Sequence, residues 1–262
     1  MKVLIVGGAG RVGSFATPYF QKEHQLRVLD LQPPRHEGVE FVEGSVSDPD
    51  AVRKALDGVD SFIWMVMKRG QGGSVTTQDI PTILDNYEVN CKALHLFLYT
   101  AQELGVTRGV YTSTMSSHYR ERAPYRNGVL YDEEERTPLD TPSVYGLTKG
   151  LGELICQYFA RWFDMNLIAL RITGPRERET YLKERQETHK DRVYGARGGS
   201  KIYVTDEEDL ADAYLGALRA VQTGHGRFDA VFVAGDEEQE AHNLTKAKRL
   251  LGWEPKAHRL LQ

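Results

Sequence analysis

Short apolar runs of strand length recur along the chain, and between them apolar residues return at the three- and four-residue spacing of a helix. The strand-length runs are Val3–Val6, Leu26–Leu29, Val39–Val42, Ser61–Met65, Gly109–Thr112 and Leu167–Leu170. The helical stretches are Val12–Lys22, Pro49–Leu56, Thr82–Leu104 and Val144–Phe163. Weaker versions of both patterns follow at Ile202–Val204, Glu207–Val221, Ala230–Val233 and Leu244–Leu251. Strand and helix alternate, which predicts an α/β fold: a doubly wound parallel sheet covered by helices on both faces.

Three stretches break the alternation. KRGQGGSVTTQ, Lys68–Gln78, is glycine-rich and polar and reads as a loop. Ser116–Thr141 carries the charged DEEER and the turn signals TPLDTP, and loops of that length are either binding segments or solvated excursions. RERETYLKERQETHKDR, Arg176–Arg192, reads as an exposed helix laced with pairs four residues apart.

At 262 residues the chain can bury a core without metal or disulfide staples. Its 33 Lys and Arg against 37 Asp and Glu give a net charge of −4, which argues against a nucleic-acid partner. Cys91 and Cys156 lie in half-apolar helical settings and read as reduced structural thiols. No C-x-x-C occurs, so no metal site is expected. The opening MKVLIVGGAG leaves no room for a signal peptide, and the longest apolar run, Phe62–Met67, is far too short to cross a membrane. These features predict a soluble, cytoplasmic protein with no membrane partner.

VGGAGRVG lies between the first strand and the first helix. Gly8, Gly10 and Gly13 satisfy G-x-G-x-x-G, and Gly7, Gly10 and Gly13 satisfy G-x-x-G-x-x-G. In that setting the string is the pyrophosphate-binding turn of a Rossmann-type sheet: Gly10 admits the phosphates, which the helix N-terminus binds through its N–H groups. Gly7, Gly10, Arg11, Val12 and Gly13 are therefore cofactor-binding candidates. Asp30 ends the second strand, where a carboxylate accepts hydrogen bonds from the adenosine ribose and repels a 2′-phosphate. NAD is favoured over NADP, although Arg35 keeps the second option open.

VYGLTKG opens the helix at Val144 and sets Tyr145 and Lys149 one turn apart on one face. A phenol titrates near 10, too high for proton exchange at neutral pH. A neighbouring cation favours the phenolate and brings it toward the working range. TSTMSS, Thr112–Ser117, follows the fifth strand and offers a second hydroxyl to brace the same substrate oxygen.

GGAGRVG, Asp30, TST and YGLTK, in this order and spacing, resemble the extended short-chain dehydrogenase/reductases, and the NAD-dependent epimerase/dehydratase family in particular. ALRITGP at Ala169–Pro175, IYVTDEEDLADAYLGAL at Ile202–Leu218 and LTKAKRLLGWEPK at Leu244–Lys256 extend the resemblance over essentially the whole chain. It implies Tyr145 as catalytic acid/base, Lys149 as its partner and nicotinamide-ribose ligand, and Thr114 as the second hydroxyl with Ser113 as the fallback. It implies that Asn90 supports the cofactor side of the site, that Ser45 and Val46 contact adenine, and that Ile172 and Thr173 lie near the nicotinamide. The chain departs from the family in having Ser45 for an aspartate and Val66–Met67 for a small pair, so crowding of the cofactor is expected there.

The resemblance further implies a dinucleotide-binding domain over residues 1–174, rejoined by a segment near 200–233, and a small C-terminal substrate-binding region over 175–262. Met115 and Ser116 stand where the sugar dehydratases carry an Asp-Glu pair, which argues against elimination. A sugar-like substrate, oxidised or epimerised at a hydroxyl carbon, is the leading expectation. The 87 residues after Pro175 favour a smaller substrate, and a uronate-type dehydrogenase acting on a free sugar acid is the alternative. Arg171, Arg176 and Arg178 could meet an anionic group, or serve as surface charge. A non-catalytic NAD(P)-sensing regulator is the alternative of another class. Pairing of the Thr82–Leu104 and Val144–Phe163 helices across a homodimer is also implied.

Overall fold

The computed structural model describes residues 1–67, 78–118, 141–188, 194–197 and 200–256. Residues 68–77 of the Lys68–Gln78 loop, 119–140 of the Ser116–Thr141 stretch and 189–192 of the charged stretch lie outside the described residues. In chain order the elements are β1 (Lys2–Val6), α1 (Arg11–Phe20), β2 (Gln25–Asp30), β3 (Glu40–Glu43), α2 (Pro49–Leu56) and β4 (Ser61–Trp64). Then come α3 (Ile80–Tyr87), a π-helical turn (Glu88–Ala93), α4 (Leu94–Glu103), β5 (Arg108–Thr114), a 3-10 turn (Met115–His118), α5 (Val144–Trp162) and β6 (Asn166–Ile172). The last part holds β7 (Pro175–Arg176), α6 (Arg178–Thr188), β8 (Tyr194–Arg197), β9 (Ser200–Tyr203), β10 (Thr205–Asp206), α7 (Glu207–Thr223), β11 (Phe228–Val233) and α8 (Thr245–Leu251).

Seven strands form one parallel sheet in the order β11-β6-β5-β4-β1-β2-β3. β1 runs VLIV and alternates between two cores: Val3 and Ile5 face the helices α1, α7 and α8, whereas Leu4 and Val6 face α2, α4 and α5. Both faces are covered, so the strands read as unbroken apolar runs. Each such buried aliphatic side chain stabilises the fold by about 1.5–3 kcal/mol. The chain leaves β1 toward β2 on one side and reaches β4 on the other, so the carboxyl ends of β1 and β4 are the switch point of the strand order, where ligands of open α/β sheets bind.

Local sequence fixes where the helices begin. Asp48 caps α2 by accepting from the Asp50 N–H at 3.0 Å, and Asp79 caps α3 by accepting from the Thr82 N–H at 2.7 Å. Ser143 does the same for α5 through the Gly146 N–H at 3.4 Å, ahead of Tyr145 and Lys149. α1 contains Pro18, which has no N–H to give the Ser14 carbonyl; the His36 Nε2 fills that acceptor at 2.7 Å and ties the loop after β2 to the helix. β7 and β10 make a two-residue parallel pair, and β8 and β9 an antiparallel hairpin. Among the described residues no helix is long and apolar enough to cross a membrane.

Candidate active site

Because every strand of the sheet is parallel, the carboxyl ends share one edge, and most of the residues singled out in the sequence fall there. Gly7–Gly13 follow β1, Asp30 closes β2, Ser45 and Val46 follow β3, Val66 and Met67 follow β4, Thr114 closes β5 and Ile172 closes β6. Thr114 and Ile172 are register partners.

The glycine turn is shaped by close approach. Gly7 takes φ +82°, and a Cβ there would stand 2.9 Å from the Val66 backbone nitrogen. At Gly13 a Cβ would meet the Gly8 Cα at 2.6 Å, so this glycine serves packing of the turn on α1. Gly10 differs: a Cβ would meet only the Gly7 carbonyl, at 3.1 Å, and nothing else within 4 Å. The space over Gly10 is thus a cradle that a methyl group would fill, at the start of a helix that no side chain caps. A pyrophosphate fits both features. Among the described residues no group of three His, Cys, Asp or Glu side chains is placed to hold a metal ion.

Asp30 is partly buried and braces this turn: its Oδ2 accepts from the Ala9 N–H at 2.9 Å and its Oδ1 from the Leu31 N–H at 2.7 Å. A carboxylate offers about four lone-pair positions, so acceptor capacity remains. The Ser45 hydroxyl accepts from the Ser47 N–H at 3.1 Å in the turn after β3.

Tyr145 and Lys149 sit in the first two turns of α5, both buried. Gly146 lets that end of the helix press on the turn after β5, since a Cβ would stand 2.5 Å from the Ser116 carbonyl oxygen. Lys149 donates to the carbonyls of Thr112 at 2.8 Å and Val66 at 3.1 Å, and its ammonium lies 4.8 Å from the centre of the Tyr111 ring. Burial lowers its pKa to about 7. The Tyr145 hydroxyl lies 4.0 Å from the Met67 sulfur, so the bulky replacement after β4 does reach the phenol. Thr114 Oγ1 accepts from the Ser116 N–H at 3.1 Å. Ser113 points the other way: it is fully buried and donates to Glu153 Oε1 at 2.5 Å.

Asn90 occupies the π-helical turn, where its Nδ2 donates to Thr148 Oγ1 at 3.0 Å and to Asn86 Oδ1 at 3.1 Å. It thereby docks the α3–α4 segment onto α5, one residue before Lys149. Thr173 is buried, with its hydroxyl bonded to the Tyr203 carbonyl at 2.5 Å. The three arginines are paired within the protein. Arg171 is buried against Glu153, Arg176 meets Glu184 at 2.9 Å, and Arg178 meets Asp206 at 2.5 Å. Arg171 is therefore not surface charge.

Sequence reasoning missed Glu153, Asn86 and Thr148. Two of them share a four-residue step with residues that were singled out, Glu153 with Lys149 and Asn86 with Asn90, but spacing alone does not tell an inward polar group from a solvated one.

Comparison with known proteins agrees with this fold. The chain belongs to the NAD dependent epimerase/dehydratase family, whose model matches residues 3–235. It is similar to a 3 beta-hydroxysteroid dehydrogenase/Delta 5-->4-isomerase of Mycobacterium tuberculosis, with 32% identity over 120 residues, 44% of this chain. That match spans about a third, 32%, of the relative's length. A 2-alkyl-3-oxoalkanoate reductase of Stenotrophomonas maltophilia is 29% identical over 241 residues, covering 86% of this chain and 67% of the reductase. Among solved structures, uronate dehydrogenase from Agrobacterium tumefaciens superposes with a TM-score of 0.73 at 20% identity, covering 97% of this chain and 84% of that one.

Proposed function

We propose that this chain is an NAD-dependent oxidoreductase or epimerase that moves hydride between a hydroxyl-bearing carbon of a sugar-like substrate and a nicotinamide ring. The observation that carries the reading is the meeting, at one sheet edge, of the open space over Gly10 with Tyr145, Lys149 and Thr114. Gly7, Gly10, Arg11, Val12 and Gly13 hold the pyrophosphate in this reading, Asp30 the adenosine ribose, Ser45 and Val46 the adenine, and Asn90 and Ile172 line the nicotinamide side. Asp30 favours NAD over its 2′-phosphorylated form by charge repulsion. A bound dinucleotide supplies the hydride acceptor.

The chain's own groups handle the proton. Tyr145, as phenolate, takes the proton of the substrate hydroxyl while the carbon gives up its hydride, and returns it in the reverse direction. Thr114 donates a second hydrogen bond to the same oxygen and fixes its position. Lys149 spends two of its three N–H donors on Thr112 and Val66, which leaves the third for the ribose, and its charge favours the phenolate. The substrate-binding region in this reading lies within residues 175–262, apart from the segment near 200–233 that returns to the dinucleotide-binding domain, where β11 joins the central sheet.

A free sugar acid is the second reading, supported by the similarity to uronate dehydrogenase. A second copy of the chain is the proposed protein partner. Ile80 and Leu84 on α3, Leu96 and Tyr99 on α4, and Leu154, Tyr158 and Trp162 on α5 are exposed, and His95 stacks on Tyr158 to join α4 to α5. Sedimentation equilibrium decides this point: twice the 29.6 kDa chain mass is expected, and the single mass contradicts it.

Turnover is the test, read as NADH production for net oxidation and as a new stereoisomer by NMR for epimerisation, which returns the hydride and releases no NADH. The screen covers sugars, uronic acids, sugar nucleotides and simple secondary alcohols with Tyr145→Phe alongside. Turnover by the wild-type chain, falling about 10²- to 10⁴-fold in the variant, is expected. Tight dinucleotide binding with no turnover of any compound overturns the reading in favour of a sensor.

A further inference from the structure

The phenol and the ammonium are not the last polar groups on the inner face of α5. Glu153 follows Lys149 by one turn and is completely buried. Its carboxylate takes a two-pronged pair from Arg171 on β6, Nε to Oε1 at 3.0 Å and Nη2 to Oε2 at 2.8 Å. Oε1 also accepts the Ser113 hydroxyl from β5 at 2.5 Å. The Arg171 guanidinium lies in turn 5.6 Å from the Phe232 ring centre on β11. One carboxylate thus ties the helix to two adjacent strands of the sheet.

Stability alone is a poor reason for this arrangement. Desolvating two charges offsets most of their attraction, and apolar residues of the same volume would join helix to sheet at least as firmly. A forked arginine–carboxylate pair differs from apolar packing in having one preferred geometry, which fixes both the height and the rotation of the helix. The groups it joins are close to those that matter. Ser113 directly precedes Thr114, Arg171 directly precedes Ile172, and Glu153 stands four and eight residues beyond Lys149 and Tyr145. Neighbouring packing leaves little slack, because a Cβ on Gly152 would stand 2.7 Å from the Tyr111 ring carbon that bears its hydroxyl.

We propose that Glu153, held by Ser113 and Arg171, is a positioning residue that sets α5 against β5 and β6 so that the Tyr145 phenol and the Thr114 hydroxyl converge on one substrate oxygen. Ser113 is then the tether of this device and not the second hydroxyl at the reacting centre. The assignment rests on the function proposed above.

Ser113→Ala removes one bond and leaves the ion pair whole, so the variant folds. On the compound that gives the fastest NADH production, its kcat is expected to fall about 10- to 100-fold, the scale of a misplacement near 1 Å. KM and the dinucleotide Kd should stay within about twofold of wild type, which separates positioning from binding. The pair Glu153→Gln with Arg171→Met removes both charges without stranding either, and should give the same kcat-selective loss. Wild-type kcat in Ser113→Ala, with turnover lost in Tyr145→Phe, overturns the positioning role and leaves the proposed function standing. A loss in Ser113→Ala as large as that in Thr114→Val also overturns it, because Ser113 would then be the reacting hydroxyl. Full turnover in Tyr145→Phe overturns the proposed function, and the positioning role with it.

Discussion

Lys149 is pulled two ways by its surroundings. The carbonyls of Thr112 and Val66 and the face of Tyr111 favour its charged form, but complete burial favours the neutral amine, and the balance lowers its pKa to about 7. An amine that gains and loses a proton near neutrality can feed a phenol as well as polarise it. Folding is linked to this titration. Between about 7 and the ordinary lysine value of about 10.4, the unfolded chain holds a proton that the folded chain lacks, so this group makes stability rise with pH across that window. Denaturation of the wild type and of Lys149→Met from pH 6 to pH 9 checks the sign: the wild type should gain stability relative to the variant as pH rises, and parallel curves contradict it. At this scale the spacing of Tyr145 and Lys149 was legible, since helical periodicity alone puts them on one face. Which of Ser113 and Thr114 turns toward α5 was not. Both are hydroxyls at the end of a strand, and only the third dimension shows Ser113 facing α5 and Glu153. A carboxylate at the centre of a helix likewise looks solvated until its partner on β6 is seen.

The elements follow the apolar pattern closely where a single period governs, as in β1 and α2. Between Thr82 and Leu104 the chain is helical throughout, as the pattern predicts, but one turn is wider than the pattern shows. There the sequence predicts one helix, whereas the chain forms α3, a π-helical turn and α4. Apolar residues keep nearly helical spacing through the wider turn, so periodicity does not register it. The inward asparagines do: Asn86 donates to the Thr82 carbonyl at 2.8 Å, and Asn90 to Asn86 and Thr148, which holds the widened turn on α5. In the glycine turn, sequence gave equal weight to glycines that do different work. Gly13→Ala drives a methyl group into the Gly8 backbone and is expected to destabilise the fold by about 1–3 kcal/mol. Gly10→Ala needs only a small shift of the Gly7 carbonyl, so its melting temperature should stay near that of the wild type while NAD affinity falls by at least tenfold, read by titration of NADH fluorescence. Undiminished NAD affinity in Gly10→Ala would remove the dinucleotide from that space.

On the scale of the whole molecule, parallel strand order does most of the functional work. It carries a glycine turn, a carboxylate, a strand-end threonine and a tyrosine–lysine helix from widely separated parts of the chain to one edge. Strand–helix alternation made that architecture legible, and the family match over residues 3–235 agrees with it. The identity of the substrate was not legible, because in the long loops and in the C-terminal third, where the substrate-binding region is proposed, composition marks solvent exposure and chemistry alike. The proposed function requires the dinucleotide and the phenol to meet at this edge. Crystallising the full chain with NAD tests it most directly. The nicotinamide ring is expected close enough to Tyr145 for one substrate hydroxyl, within about 3 Å of the phenol oxygen, to bridge the two. A ring lying more than about 10 Å from that oxygen, beyond proton transfer, contradicts it.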